Sequence, residues 1–401
     1  MASQPALHAK QPIYLRCEMK PHEHRAALTP TTAKTLIEHG WDVTVERDPQ
    51  RIFADEEYEK VGCKLSPHNT WDQVPPHIPI IGLKELPAPG PPLPHTHIQF
   101  AHCFKKQAGW VDVLSRFRQG GGKLYDLEFL EDANGRRVAA FGWHAGFAGA
   151  ALGLLALAEQ LESGGQKRLG KQVRYPNEGE LVKYARERIE VIRKHKKDGK
   201  VKALVVGALG RCGRGAIDFF EKAGLASDDI VRWDMQETAA KSGPYQEMLD
   251  VDIFLNAIYL NTKIPAFLTK DFIESAGAER RLGVVVDVSC DTTNPNNPLP
   301  IYDINTTFDE PTVDVPLSGA DAAQNPLTVV SIDHLPTLLP REASEGFSSD
   351  LLPSLLQLPY VTGVAAAGKV AESHVEGKGA VWKRAEDLFR KHLAEAEKEG
   401  A

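Results

Sequence analysis

The chain has 401 residues, 42% hydrophobic and 25% charged, with a net charge of −7 at pH 7. This length and balance fit a two-domain globular protein, and the acidic surplus argues against nucleic acid as a partner. Five scattered cysteines without a C-x-x-C spacing argue against a disulfide framework or a bound metal, and they fit a reducing compartment.

Ile13–Arg16 predicts a first short strand, followed by the loop CEMKPHEHR and a helix ending near His39. Thr29 is placed to cap that helix, with Pro30 at its first position. Gly40 ends it and Trp41–Val45 predicts the next strand. A short helix is expected over Glu56–Val61, and Ile78–Leu83 predicts a strand ending at Lys84-Glu85. A proline-rich stretch over 86–94 leads to a strand at Thr96–Phe100, a helix over 109–119 and the run Lys123–Glu128.

Phe141–Ala158 is apolar over 18 residues, but it carries His144 and four glycines; a helix packed inside a domain fits better than a membrane span. A polar loop over 163–178 and a charged helix over 178–196 follow. Apolar runs at 203–206, 230–233, 251–256, 283–288 and 328–332 then alternate with helical patterns, as in a doubly wound parallel sheet. Residues 341–401 read as helices, with a long charged one over 377–398, that return to the first domain. The expected fold is therefore α/β: two Rossmann-like domains with parallel-rich sheets and an active-site cleft between them. Residues 1–141 with 342–401 form the substrate domain and 142–341 the dinucleotide-binding domain. The amino terminus lacks a signal-peptide core and the Glu-Gly-Ala end is no peroxisomal tripeptide, so the expected compartment is the cytoplasm.

The most informative stretch is KALVVGALGRCGRGAID, Lys202–Asp218. A buried-strand run stops at Gly207, glycines recur at 210, 213 and 215, and a helical pattern follows. Such a turn lets backbone approach a pyrophosphate and presents the free N–H groups of a helix start. The spacing is G-x-x-G-x-x-G, with Leu209 in place of a glycine. Asp234 ends the next predicted strand about 20 residues on, where a carboxylate grips the adenosine ribose and repels a 2′-phosphate. NAD is therefore expected rather than NADP, with Arg232 as a possible phosphate partner against it. An ordinary α/β turn with a surface acid is the plain alternative.

Ligands of open α/β sheets sit beyond the carboxyl ends of the strands. Polar groups there include Arg16–Arg25, Lys84, Glu85, His102–Gln107, Glu128, Tyr259, the Ser289-Cys290-Asp291 turn and Asp333-His334. Lys84 follows an apolar run, where desolvation can lower a lysine enough to act as a base. His102 follows the next run and exchanges protons near neutral pH. Glu85 and Glu128 are candidates to tune the pair. Lys20, Arg25, Lys105 and Arg137 can bind several carboxylates, or can simply balance Glu18, Glu23 and Asp126. An acid–base pair, NAD and several cations fit oxidation of an amine bearing several carboxylates.

The segments RCEMKPHEHRAALTP, IIGLKELP, HIQFAHCFKKQAGW, LYDLEFLEDANGRRVAAFG, GALGRCGRGAID, DVSCDTTNPNNPLPIY and SIDHLPTLLPREASEGFSSDLLPSL closely resemble the fungal NAD-dependent, lysine-forming saccharopine dehydrogenases, from about Ile13 to Leu358. That family is related in fold to alanine dehydrogenases. The resemblance implies conversion of saccharopine, NAD and water to lysine, 2-oxoglutarate and NADH, by a monomer. It implies that Lys84 takes the amine proton and that His102 activates water against the imine. Arg25 and Arg137 would hold substrate carboxylates, with Glu85, Gln107, Phe141, Ser289, Cys290 and Asp291 lining the substrate site. The implied cofactor residues are Arg136, Gly210, Arg211, Asp234, Thr238, Tyr259, Val288, Ile332, Asp333, His334 and Leu335. Some relatives carry a second cysteine where this chain has Ala257, so a disulfide through Cys212 is not expected. Alternatives are another amino-acid dehydrogenase of alanine dehydrogenase type, or an NAD-binding sensor without turnover.

Overall fold

A computed structural model describes residues 10–290, 292, 294–318, 325–362 and 379–399. Asp291 lies outside them. The chain divides into two compact units, Met1–Ala140 with Pro340–Ala401, and Phe141–Leu339. The divisions fall one and two residues before the expected ones. Phe141 caps the helix Gly142–Glu162, its carbonyl accepting from Ala145 N–H at 2.9 Å, and Pro340 opens the helix Pro340–Leu355. Each boundary residue thus goes with the helix it starts.

The first unit is built on β1 Gln11–Leu15, β2 Trp41–Glu46, β3 Lys64–Ser66, β4 Ile80–Ile81, β5 Thr96–Gln99 and β6 Lys123–Asp126, in the order β3-β2-β1-β4-β5-β6 and parallel throughout. This is the Rossmann strand order, with its switch point between β1 and β4. Helix Pro30–Glu38 starts as expected at Thr29, which exchanges hydrogen bonds with Thr32 in a capping box. The carboxyl-terminal helices return to this sheet. Ala26 N–H donates to Ser344 Oγ at 2.9 Å, and Trp382 packs on Tyr125 with ring centroids 5.3 Å apart.

The second unit holds β7 Ala203–Val206, β8 Ile230–Trp233, β9 Ile253–Asn256, β10 Val284–Asp287, β11 Val313–Asp314 and β12 Thr328–Val330, in the order β11-β12-β10-β9-β7-β8. All pairs are parallel except β11 with β12. The switch point lies between β7 and β9. Helix Gly142–Glu162 is buried from Gly146 through Ala158 and packs on β9 and β10. Its glycines have a defined use. A methyl group at Gly146 would overlap the Cys212 carbonyl, and one at Gly215 would overlap the Trp143 carbonyl. The helices Gly142–Glu162 and Arg211–Ala223 therefore touch backbone to backbone through two reciprocal glycines. No helix among the described residues is long and apolar enough to cross a membrane, and no metal-binding cluster occurs among them.

Candidate functional site

In the first unit, chemistry-bearing residues gather at the carboxyl edge around the switch point. Lys84 follows β4 and is only 7% exposed. The acid beside it in sequence, Glu85, is exposed; Glu18 and Glu23, which lie near it, come from the loop after β1. Glu18 accepts from Leu83 N–H at 2.6 Å and from Lys84 N–H at 3.0 Å. Burial pushes the Glu23 carboxyl up, but the Arg25 guanidinium against it, with Lys84 near, holds it down at about 2. Glu18 and Glu23 reach Lys84 because β1 and β4 are neighbours in the sheet.

His102 lies three residues past β5, stacked on Phe100 at 6.3 Å, with φ of 56°. Left-handed backbone is uncommon for a non-glycine residue, and it recurs at His22 and at Cys290. Arg25 is buried and grips Glu23 through Nε at 2.7 Å and Nη2 at 2.6 Å. Arg137 Nη1 and Lys105 Nζ both lie 3.1 Å from Glu128. These cations therefore have acids beside them that a bound carboxylate would have to share. Gln107 and Arg136 are exposed. Asp126, expected from sequence only as an acid that balances nearby cations, lies at the end of β6, where burial pushes its carboxyl up to about 7.

In the second unit, the glycine turn is assembled from β7. Gly207 has φ of 85°, and a methyl group at Gly213 would overlap the Gly207 carbonyl, so these two glycines make the turn and the close helix–strand packing. Gly210 differs. Its backbone is extended (φ −74°, ψ 169°), and a Cβ there would meet only the Gly207 carbonyl, at 3.3 Å. That one close contact apart, nothing among the described residues requires a glycine at this exposed position, which leaves an approach for a ligand to the first N–H groups of helix Arg211–Ala223. Asp234 closes the turn, accepting from Leu209 N–H at 3.0 Å and Met235 N–H at 2.9 Å.

Beside the turn lies a pocket of about 680 Å³ whose walls include Asp234, Thr238, Tyr259, Lys241, Ile258 and Pro265. It brings three expected cofactor residues together in a space of small-molecule size. Tyr259 is 58% exposed at its rim. Tyr245 and Ile264 also line it; they fall outside the motifs and carried no signal in sequence. Arg232, the expected counter-argument for a 2′-phosphate, donates instead to Glu221 at 2.8 Å and to the carbonyls of Ser227 and Ile230. Val288, Ser289 and Cys290 follow β10, and Ser289 Oγ donates to Asp287 at 2.6 Å. Ile332 and Leu335 are buried in the core against helix Gly142–Glu162, whereas Asp333 between them is exposed. The turn, the acid, the extended Gly210 and the apolar pocket fit a dinucleotide.

Comparison with known proteins gives the same direction. The model of the alanine dehydrogenase/PNT N-terminal domain matches residues 14–148. Saccharopine dehydrogenase (NAD+, L-lysine-forming) of Yarrowia lipolytica is 53% identical over 95% of this chain and 97% of its own. The protein of the same name from Candida albicans is 49% identical over 98% of this chain and 100% of its own. The chain belongs to the lysine-forming saccharopine dehydrogenase family. The resemblance carried by the sequence motifs thus extends to whole relatives, and the alanine dehydrogenase alternative is not favoured. Among solved structures, an L-alanine dehydrogenase superimposes with a TM-score of 0.60 at 15% identity, covering 93% of this chain and 100% of that one, which is a likeness of fold.

Proposed function

We propose that this saccharopine dehydrogenase family member oxidises saccharopine with NAD and hydrolyses the imine to L-lysine and 2-oxoglutarate. The observation that carries the reading is the 53% identity, across nearly the whole of both chains, to an enzyme named for that reaction. In this reading the second unit holds the cofactor. Gly210, Arg211 and the helix start take the pyrophosphate and Asp234 takes the adenosine ribose. Thr238, Tyr259, Val288 and the run Ile332, Asp333, His334, Leu335 complete the site. Bound there, NAD supplies a hydride acceptor for the carbon that bears the secondary amine.

The first unit supplies the proton chemistry. Lys84 takes the amine proton as the C–N bond becomes an imine. His102 takes a proton from the water that adds to the imine carbon, then returns it to nitrogen as the C–N bond breaks. Lysine leaves as the amine and 2-oxoglutarate as the carbonyl product. Saccharopine, water and NAD+ thus yield lysine, 2-oxoglutarate, NADH and one proton. Support comes from β4 and β5 being adjacent, which sets Lys84 and His102 on neighbouring strand ends. Arg25 and Arg137 hold substrate carboxylates while each also keeps its own acid, Glu23 and Glu128. Glu85 and Gln107 line the substrate. We assign the enzyme to the cytoplasm as a monomer; scattered cysteines support a reducing compartment, and the elution volume of the purified protein checks the oligomeric state.

The test is NADH formation by the purified protein from saccharopine against alanine. Turnover is expected with saccharopine and NAD and poor turnover with NADP. Absence of NADH with saccharopine overturns the proposal, and turnover of alanine alone moves the protein among the alanine dehydrogenases.

A further inference from the structure

The backbone that leads to Lys84 is held by the sheet on one side only. β4 has only two residues. On its β5 side the ladder continues, with Gly82 N–H to the Ile98 carbonyl at 3.0 Å and Phe100 N–H to the Leu83 carbonyl at 2.8 Å. On its β1 side the last bond is Arg16 N–H to the Ile81 carbonyl, 3.0 Å. From there two side chains replace the strand. Glu18 accepts from the N–H groups of Leu83 and Lys84, one to each carboxylate oxygen. Arg16 Nη2 donates to the Lys84 carbonyl and to Gln99 Oε1. Arg16 Nη1 closes the figure on Glu18 at 3.3 Å. Both peptide groups of Lys84 are therefore gripped by one buried ion pair.

Gly82 makes this possible. A Cβ there would overlap Nε and Cζ of Arg16, so the guanidinium reaches Lys84 only by crossing a residue without a side chain. The pair is itself anchored. Glu18 N–H donates to Asp48 at 2.9 Å, and Arg51 donates to the Arg16 carbonyl at 3.2 Å. Side chains of both Arg16 and Glu18 are at most 3% exposed, so neither meets solvent.

We propose that Arg16 and Glu18 form a clamp that positions Lys84 for proton transfer, with Gly82 as the notch that admits it. They are positioning residues, and the inference rests on the reading of Lys84 as the base. A clamp replacing ladder hydrogen bonds fixes where the lysine side chain begins, and a displacement of about 1 Å can cost on the order of a hundredfold in rate.

The experiment compares full-length Glu18→Gln, Glu18→Asp, Gly82→Ala and Lys84→Met with the unaltered protein. It records kcat and KM for saccharopine, the kcat–pH profile, NAD affinity and thermal midpoint. Glu18→Gln and Gly82→Ala are expected to lower kcat by about 10- to 100-fold and to move the acid limb of the profile, with NAD affinity unchanged. Glu18→Asp recovers part of the loss. Should Glu18→Gln fail to fold, Gly82→Ala carries the test, since it displaces the guanidinium and leaves both charges in place. Unaltered kcat and pH profile in folded Glu18→Gln or Gly82→Ala, while Lys84→Met loses turnover, overturns the clamp alone. Retained turnover in Lys84→Met overturns the base assignment and the clamp with it.

Discussion

Gly210→Ala separates a glycine kept for a ligand from one kept for packing. Extended backbone at φ −74° and ψ 169° suits alanine, and the added Cβ meets one carbonyl oxygen at 3.3 Å. Relieving the unfolded chain of glycine's freedom stabilises by about 0.4–1 kcal/mol. Alanine is a poorer N-cap than glycine by a similar amount, roughly 0.5–1 kcal/mol. The two offset, so the thermal midpoint should stay within about 3 °C of the unaltered protein. Cofactor binding responds differently. The methyl group is added at the N-cap, next to the N–H groups that would meet the pyrophosphate, and losing one charge-assisted hydrogen bond costs about 1.5–3 kcal/mol. NAD affinity, measured by titration calorimetry, should fall by about 10- to 150-fold. Unchanged affinity would refute the assignment of this turn to the dinucleotide; a collapse in thermal midpoint would refute the claim that Gly210 has no packing duty.

Gly146→Ala addresses the opposite case: its methyl group overlaps the Cys212 carbonyl, so differential scanning calorimetry should show a loss of about 1–3 kcal/mol, and an unchanged midpoint would deny the backbone contact. Asp234→Asn keeps a hydrogen-bond acceptor but removes the charge that repels a 2′-phosphate, so the ratio of NAD to NADP turnover should narrow by about tenfold; a constant ratio would remove Asp234 from cofactor choice. His97 is fully buried among Trp71, His95 and Phe117. Burial, reinforced by Arg16, His95 and Arg116, keeps its imidazole neutral well below the ordinary histidine range. The unfolded chain then takes up a proton near pH 6.5 that the folded chain refuses, so stability present above that pH is lost as pH falls, by up to about 1.4 kcal/mol per pH unit. Denaturant titrations at pH 7.5 and 5.5 should show a smaller difference for His97→Phe than for the unaltered protein, and an equal difference would contradict it.

The glycine turn, Asp234 and the alternation of apolar runs were legible in the sequence because each is a local pattern with one physical cause. Thr29 announced its helix for the same reason. β3 and β11 were not foreseen: they are edge strands of three and two residues without an apolar run. The strand expected over Ile78–Leu83 shrinks to Ile80–Ile81, since Arg16 and Glu18 take over the hydrogen bonds that a longer ladder would have made. Lys84 and His102 stood out because each follows an apolar run. Their surroundings did not. Glu85 is adjacent in sequence yet exposed, whereas Glu18 and Glu23 arrive from β1, and only the strand order places β1 beside β4. Tyr245 and Ile264 in the dinucleotide pocket are invisible for a like reason: they are ordinary core-type residues until the fold brings them beside Asp234.

The most direct measurement is the product balance of a single reaction mixture holding the purified protein, saccharopine and NAD. Lysine and 2-oxoglutarate are quantified chromatographically against NADH absorbance. One lysine and one 2-oxoglutarate are expected for each NADH formed. NADH formed without lysine, or with a carbonyl product other than 2-oxoglutarate, would contradict the account.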